Sequence, residues 1–347
     1  MMDKHAPGAG IDPVEIERRD FHVETVDGVN IAVRSVKAPS APQQKVPMIL
    51  MHGTRIPGIS EFDLPVPNGS LAADLALAGH PCFIPDARGF GGSDRPKELD
   101  EPWKPTAPIV RSLEIQRDID AAVNALREET GAKKVGILGW GTGGTLALIY
   151  AALWPEKVSH IILYNPLYGG ADDHPEIGKG SRWEDPDQPG RFNQAKYGNY
   201  YFNRVDMLRK GWDNRIPIED KDAWRDPAIL AAFEKALIDG DPTTMDRDPP
   251  SYRSPNGMLE DSFLMGHGHK LVHASQVYCR VMVINPEFDL WCRPEDVAAL
   301  KEDLVHAEEV RIWEPKNMTH YVLLDRPERG RTEAIERILD FIESREP

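Results

Sequence analysis

The stretch GWGTGG, residues 139–144, lies between the apolar runs KKVGIL and TLALIYAALWP. This order predicts a buried strand, a tight glycine-packed turn and a helix, which is the usual setting of a catalytic serine. The residue at the tip of the turn is Gly141, which has no nucleophilic atom. The sequence therefore raises the question of what a nucleophile turn does when it lacks the nucleophile.

The bulk composition excludes several classes of protein. The chain has 347 residues, a formal net charge of −15 and 28% charged residues, and phosphates would be repelled by such a surface, which argues against a nucleic-acid partner. The sequence contains no long uncharged apolar stretch, so it predicts no membrane span and no membrane partner, and its first 20 residues lack the apolar core of a secretory signal. Cys82, Cys279 and Cys292 are too few for a disulfide framework, so we expect a cytoplasmic protein with reduced thiols.

Strand and helix patterns alternate over most of the chain. FHVETVDG and VNIAVRSVKA predict a β-hairpin around Asp27-Gly28. Buried strands are predicted in KVPMILMHG, PCFIPDARG, KKVGILGW and KVSHIILYN, with helices in SLAADLALAGH, in SLEIQRDIDAAVNALREETG and after Thr142. This alternation predicts an α/β fold, with a mostly parallel sheet and helices on both faces.

The alternation stops near residue 167 and resumes near residue 278. The intervening segment is rich in Trp, Tyr, Pro, Asp and Gly and has only short helical patterns. We therefore predict an N-terminal arm at 1–20, one α/β core made of 21–166 and 278–347, and an inserted lid at 167–277. An insertion at the carboxyl end of a sheet strand is well placed to cover a ligand.

Several stretches occur in an order that resembles the α/β-hydrolase superfamily, and in particular its lidded esterases and lactonases. These stretches are MILMHGT, IPDARGFGGSD, LGWGTGGTLAL, VINPEFD and NMTHYVLLDRPE, and they cover nearly the whole chain apart from the insertion. The D-x-R-G-x-G-x-S form at 86–93 and the His-Gly pair at 52–53 are each moderately specific, and together they are a strong signal. The resemblance implies an α/β-hydrolase fold with a catalytic triad and an oxyanion hole.

The resemblance also implies roles for individual positions. Gly141 occupies the nucleophile position, Asp289 at the end of VMVINPEFD is the acid, and His320 in the loop after VRIWEPKN is the base. The oxyanion donors are the backbone N–H of Thr142 and an N–H after the His-Gly pair, from Thr54 or Arg55.

The departure from the family pattern is Gly141, because glycine closes the covalent route through an acyl-enzyme. Three explanations stand at this point. A serine was replaced by glycine, which leaves a hydrolase disabled at its nucleophile. Alternatively, His320 and Asp289 act as a general base on water or substrate without a nucleophile, in a hydrolase or a lyase. Thirdly, the chain is a non-catalytic binding protein on the same scaffold.

Two other types of site are weighed and set aside. Gly139, Gly141 and Gly144 spell G-x-G-x-x-G, the dinucleotide fingerprint, but the next strand ends in Asn165 rather than in the acidic residue that holds the ribose. His267, His269 and His273 in GHGHKLVH have the spacing of metal ligands but lack a completing Cys or carboxylate motif. We therefore expect no cofactor and no metal.

The predicted substrate is a carboxylic ester or lactone with a bulky apolar or aromatic group, because aromatic residues are frequent in the insertion. Arg55 is a candidate for gripping a substrate carboxylate, although an ion pair with a lid acid is an equal alternative, and Trp140 is a candidate substrate contact. We expect structural roles for His52, Asp86 and Arg88. The oligomeric state is left open, with a homodimer as one option.

Overall fold

The computed structural model of the protein describes residues 15–41 and 45–344. Its strands, in chain order, are β1 (Glu17–Glu24), β2 (Asn30–Lys37), β3 (Met48–Met51), β4 (Cys82–Pro85), β5 (Val135–Trp140), β6 (Val158–Tyr164), β7 (Glu184–Asp185), β8 (Gln188–Phe192), β9 (Tyr200–Arg204), β10 (Ser251–Pro255), β11 (Arg280–Ile284) and β12 (Val310–Trp313).

Its α-helices are α1 (Gly58–Phe62), α2 (Leu71–Leu77), α3 (Ser112–Thr130), α4 (Thr142–Leu153), α5 (Gln194–Tyr197), α6 (Val205–Asp213), α7 (Pro227–Asp239), α8 (Gly257–Gly266), α9 (Pro294–Asp303) and α10 (Arg331–Glu343). Helix α3 ends where the sequence predicts, because Gly131 adopts the left-handed conformation that closes a helix.

The main sheet has eight strands in the order β1-β2-β4-β3-β5-β6-β11-β12. The hairpin β1–β2 and the pair β2–β4 are antiparallel, whereas every later neighbour is parallel. The predicted α/β fold with a mostly parallel sheet is therefore confirmed. Strand β1 already begins at Glu17, inside the arm predicted for residues 1–20, and residues 1–14 of that prediction lie outside the described residues.

Both faces of the sheet are covered, as its sequence requires. All six residues of β5 are buried, because a strand enclosed on two faces is apolar throughout instead of alternating. Helix α4 is likewise apolar nearly all round, and ten of its twelve residues are buried. Two large apolar clusters result, one on each side of the sheet. The turn between β5 and α4 is thus fixed by buried elements at both ends.

Between Tyr164 and Arg280 the chain adds no strand to the main sheet. It forms two small two-stranded sheets, β7–β8 and β9–β10, together with helices α5 to α8. Trp183 belongs to a small core within this segment, whereas Trp212 and Trp224 pack into the same cluster as one face of the main sheet. Among the described residues, no helix combines the length and the apolar character that crossing a membrane requires.

Candidate active site

The turn between β5 and α4 has the backbone form of a nucleophile elbow. Gly141 stands between Trp140, the last residue of β5, and Thr142, the first of α4, with φ 57° and ψ −119°. A side-chain carbon on Gly139 would overlap the Gly143 carbonyl, and one on Gly143 would overlap that of Met51. The flanking glycines are therefore required by close packing of the turn against its neighbours.

Gly141 itself is a different case, because there is room for a side chain. The nearest atoms to an added Cβ are Nε1 and Cδ1 of Trp291, at 3.9 and 4.0 Å, which is ordinary van der Waals contact. A residue other than glycine would bear the strain of the positive φ, which is the usual condition of the catalytic residue in such elbows. The position thus has space for a serine side chain.

Asp289 and His320 meet as the sequence predicts. His320 Nδ1 lies 2.6 Å from Asp289 Oδ1, and the Asp289 side chain is fully buried. Asp289 does not end a strand, however, because β11 stops at Ile284 and Asp289 lies in the following loop. A bridge between Phe288 and Thr319 aligns this loop with the one that carries His320. The backbone N–H groups of the two residues Trp291 and Cys292 donate to the Asp289 carboxylate, so Asp289 orients a histidine and does not cap α9.

The second imidazole nitrogen of His320 already has a hydrogen-bond partner within the protein. His320 Nε2 accepts a hydrogen bond of 3.1 Å from the indole Nε1–H of Trp140. An indole N–H can only donate, so the proton of the neutral imidazole must be on Nδ1, which donates to Asp289. His320 therefore has the tautomer of a general base, but Trp140 occupies its basic nitrogen. Trp140 was predicted as a substrate contact; it lines the cavity and also contacts His320.

Asn165 is a site residue that the sequence analysis missed. Its amide Nδ2 donates to the His320 carbonyl at 3.0 Å and lies 3.1 Å from Nδ1, while the Tyr164 hydroxyl donates to the same carbonyl at 2.6 Å. Asn165 comes directly after β6, at the carboxyl end of a strand between β5 and β11. That placement was the available signal, because polar residues at strand ends in such sheets surround the ligand site.

The expected oxyanion donors lie together. The hydroxyls of Thr54 and Thr142 are hydrogen-bonded to each other, which ties the loop after β3 to the start of α4. Among the described residues, the backbone N–H groups of Thr54, Arg55 and Thr142 have no hydrogen-bond acceptor. Glu61 supports this loop by accepting the Gly53 N–H at 3.1 Å, and burial raises the pKa of its carboxyl well above the usual range. These N–H groups are thus available to a substrate oxygen.

A cavity of about 420 Å³ joins these groups. The predicted residues Thr54, Arg55, Trp140, Gly141, Thr142 and His320 all line it, with Asp289 behind His320. The insertion supplies part of the lining, including residues of α6. The lining is more charged than the apolar pocket that we expected, since it includes the charged residues Arg55, Glu61, Glu176, Arg182, Lys210 and Arg215.

The insertion is anchored to the His320 loop through a buried carboxylate. Asp325 accepts hydrogen bonds from the indoles of Trp212 and Trp224, at 3.1 and 3.0 Å, and from the Thr319 hydroxyl at 2.5 Å. The Trp212 ring also stacks on Tyr321, with centroids 4.6 Å apart. Thr319 and Tyr321 flank His320 in sequence, so contacts with the insertion fix the loop on both sides of the histidine.

Other sequence predictions fall outside the cavity chemistry. Arg88 pairs with Asp118 at 2.6 Å, and Asp86 accepts the Gly58 N–H at 2.8 Å, both within the buried loop structure. His52 accepts the Ala87 N–H at 2.9 Å, as a supporting residue would. No three His, Cys, Asp or Glu side chains in the described ranges are grouped as a metal site requires, and the trio His267, His269 and His273 does not converge.

A family model for the alpha/beta hydrolase fold matches residues 46–211. The chain has the α/β-hydrolase fold. Among curated relatives, Lipase member M of Homo sapiens is 29% identical over 156 residues, which cover 43% of this chain and 36% of the lipase. The match therefore spans only about a third of the length of that lipase.

Solved α/β-hydrolase structures match far more of the chain, at low sequence identity. An esterase from Exiguobacterium antarcticum has a TM-score of 0.56 and 16% identity, covering 93% of this chain and 99% of the esterase. Est816, described as an N-acyl homoserine lactone degrading enzyme, has a TM-score of 0.56 and 17% identity, covering 90% of this chain and 98% of its own. At these identities the likeness establishes the fold.

Proposed function

We propose that this chain is an α/β-hydrolase for a carboxylic ester or lactone. In this proposal its active site is disabled at the nucleophile position, Gly141. The observation that carries the proposal is the assembled Asp289–His320 pair, with Nδ1 and Oδ1 2.6 Å apart, in one cavity with an elbow that has no hydroxyl. In this proposal a bound carbonyl carbon lies over Gly141. Its oxygen points to the N–H groups of Thr142 and Thr54.

In an ester hydrolase the histidine takes the proton of the serine hydroxyl as that oxygen attacks the carbonyl carbon. Here no attacking oxygen is attached to residue 141, and His320 Nε2 accepts the Trp140 indole N–H instead. In the Gly141→Ser variant the serine hydroxyl replaces the indole as the donor to that nitrogen. Binding and the oxyanion donors remain, and these alone leave a residual catalysis of roughly 10³–10⁴ over water. We expect the chain as written to bind its ester and release almost no product.

The insertion, residues 167–277, is proposed to act as a lid over a core made of 21–166 and 278–347. Its support is that α6 and the residues near it line the same cavity as Gly141. The bulky apolar or aromatic substrate group of the sequence prediction would contact the aromatic residues Trp140, Trp291 and Tyr321. The relatives named as a lipase, an esterase and a lactone-degrading enzyme support the ester and lactone classes. A cytoplasmic location and a homodimer stay predictions.

The open space beside Gly141 favours a second candidate function. With Trp291 Nε1 3.9 Å from an added Cβ, a water molecule could stand where a serine hydroxyl would be. His320, oriented by Asp289, would then act as a general base on that water, provided that its Nε2 is released from Trp140. A non-catalytic binding role is the third possibility, and it requires no turnover at all.

Turnover of short aryl esters and lactones in isotopically labelled water separates these functions. The proposal predicts almost no product from the chain as written, and a gain of about 10³-fold or more in Gly141→Ser, which supplies the nucleophile. Gly141→Ala is the matched control, because it adds the same Cβ and backbone strain without a hydroxyl. Rapid label incorporation by the chain as written, lost in His320→Ala, would support the second candidate and contradict the proposal. Tight ester binding with an inactive, folded Gly141→Ser variant would favour the binding protein.

A further inference from the structure

Arg55 is a cation without an anionic partner. Its guanidinium lies over the rings of Trp183 and Tyr201, with centroid distances of 5.5 and 5.8 Å, and no carboxylate of the described residues is within ion-pair distance of it. The residue is half-buried, and burial lowers the pKa of its guanidinium. That direction is expected of a cation that has lost water without gaining an anion. The ion pair with a lid acid, which the sequence left open, is not formed.

Three more cations line the same cavity. Arg182 and Lys210 also have no carboxylate partner in the part of the chain that the structure describes, and Arg215 approaches Glu176 at 3.6 Å. The only other acid in the lining is Glu61, which is buried and accepts the Gly53 N–H, and burial raises the pKa of its carboxyl well above the usual range. Four cations thus line a cavity with two acids, of which only Glu176 lies near one of the cations as an ion pair, in a chain whose net charge is −15.

We propose that the cavity takes an ester or lactone whose far end carries a carboxylate, held by Arg55 and assisted by Arg182, Lys210 and Arg215. This inference rests on the proposed function and names its substrate class. Arg55 directly follows Thr54, whose N–H is a candidate oxyanion donor, so a carbonyl at the elbow and a carboxylate at Arg55 can belong to one small molecule. The planar guanidinium matches a carboxylate with two parallel hydrogen bonds, and aromatic faces leave its edge free for them.

The size of the cavity limits the substrate. A volume of about 420 Å³ holds a compact molecule and not a long lipid chain. A carbon chain of a few atoms would separate the two carbonyl groups. A half ester of a short dicarboxylic acid meets these conditions, and so does a lactone that carries a carboxylate.

The kinetic test uses the Gly141→Ser variant and two matched substrates, the p-nitrophenyl ester of hexanoic acid and the mono-p-nitrophenyl ester of adipic acid. These differ only in a terminal methyl group or carboxylate, and adipate is too long for fast attack of its own carboxylate on the ester. We expect kcat/KM to favour the adipate ester by roughly tenfold or more, as a charge-assisted pair would give. Equal values, or a preference for hexanoate, would overturn the carboxylate proposal and leave the proposed function intact.

Variants of the cations locate the effect. Arg55→Gln in the Gly141→Ser background should lower the adipate-to-hexanoate ratio by roughly tenfold, and Lys210→Gln, on the exposed side of α6, by about threefold. The matched control is Arg209→Gln, which removes the same charge from the same helix outside the cavity lining and should leave the ratio within about twofold. A ratio that is unchanged in both cavity variants would overturn the proposal, and Lys210→Gln alone decides if Arg55→Gln does not fold.

A binding test on the chain as written does not depend on turnover. Tryptophan fluorescence is titrated with monomethyl adipate, methyl hexanoate and inorganic phosphate. The proposal predicts that monomethyl adipate binds about tenfold more tightly than methyl hexanoate and more tightly than phosphate. Equal binding of the two esters, or tighter binding of phosphate, would contradict it. If Gly141→Ser hydrolyses neither ester, the proposed function fails, and this titration still decides the question of the carboxylate.

Discussion

Two groups of polar residues that line the cavity differ in how far they are already paired, namely His320 with its partners and the cations around Arg55. On the sheet side, His320 is held by Asp289, Asn165 and Trp140, so both ring nitrogens have partners. Elsewhere in the lining, Arg55 of the core has only aromatic faces of the insertion beside it, and the insertion adds further cations. His320 and its partners are therefore preorganised for chemistry before any ligand arrives. The cations around Arg55, in contrast, have positive charges that an anionic ligand would pair with.

This difference suggests a division of labour between the core and the insertion. The buried strands and helix α4 fix the elbow within close limits, because a side-chain carbon at Gly139 or Gly143 would overlap backbone atoms. The insertion contributes exposed cations such as Arg182 and Lys210, whose side chains are free to adapt to a ligand. In this account the core determines which reaction could occur, and the insertion's cations, together with Arg55 of the core, determine which molecule is recognised.

The largest expected effect comes from breaking the pair between Asp289 and His320. In the Gly141→Ser background, Asp289→Asn should lower kcat by roughly 10³–10⁴-fold, because the amide favours the wrong imidazole tautomer. Steady-state kinetics on a short aryl ester measures it. Glu295→Gln, at an exposed acid in the first turn of α9, is the control and should stay within about twofold. If Asp289→Asn were nearly as active as its parent, the pairing with His320 would have no catalytic meaning.

The contact that Asp325 makes between the insertion and the His320 loop should make the stability of the protein depend on pH. Burial raises the pKa of Asp325 to about 7, so the folded protein keeps a proton that the unfolded chain releases near its ordinary pKa of 3.8. Stability from this group is present at low pH and is lost as pH rises through the folded pKa, by about 1.4 kcal/mol per pH unit in between.

We therefore expect the free energy of unfolding to fall between about pH 5 and pH 7 by on the order of 2 kcal/mol, and Asp325→Asn to flatten that slope. Urea titrations at several pH values measure the slope, which does not depend on any constant loss of hydrogen bonds in the variant. If the variant and its parent show the same slope of unfolding free energy against pH, Asp325 does not cause that pH dependence.

The smallest expected effect concerns the cavity cations and the one acid, Glu176, that pairs with them. Glu176 is an exposed acid that lies 3.6 Å from Arg215, so Glu176→Gln removes the carboxylate that pairs with a cavity cation. Monomethyl adipate should then bind about two- to threefold more tightly, since exposed ion pairs are weak. Glu234→Gln, which removes an acid paired with Arg209 outside the lining, is the matched control. Weaker binding in Glu176→Gln would mean that the acid supports the ligand site.

The sequence predicted the parts of the site that local patterns encode. The elbow follows from apolar runs on either side of GWGTGG, and the order of Gly141, Asp289 and His320 follows from the family pattern. The Trp140 indole on His320 Nε2 could not be predicted, because its direction depends on how β5 packs against a loop 180 residues away. The charge of the cavity was missed for a similar reason. Arg55 and Arg215 come together only after the insertion has folded onto the sheet.

The claim that the missing hydroxymethyl group at Gly141 is what disables this site is tested most directly by covalent labelling. The chain as written, Gly141→Ser and Gly141→Ala are treated with a fluorophosphonate and examined by intact-mass and peptide mass spectrometry, with circular dichroism as the check on folding. The account predicts one adduct, at position 141 of the Gly141→Ser variant, which is lost when His320→Ala is added, and none in the other two proteins. A folded Gly141→Ser variant without an adduct, or an adduct that survives His320→Ala at full rate, would contradict it.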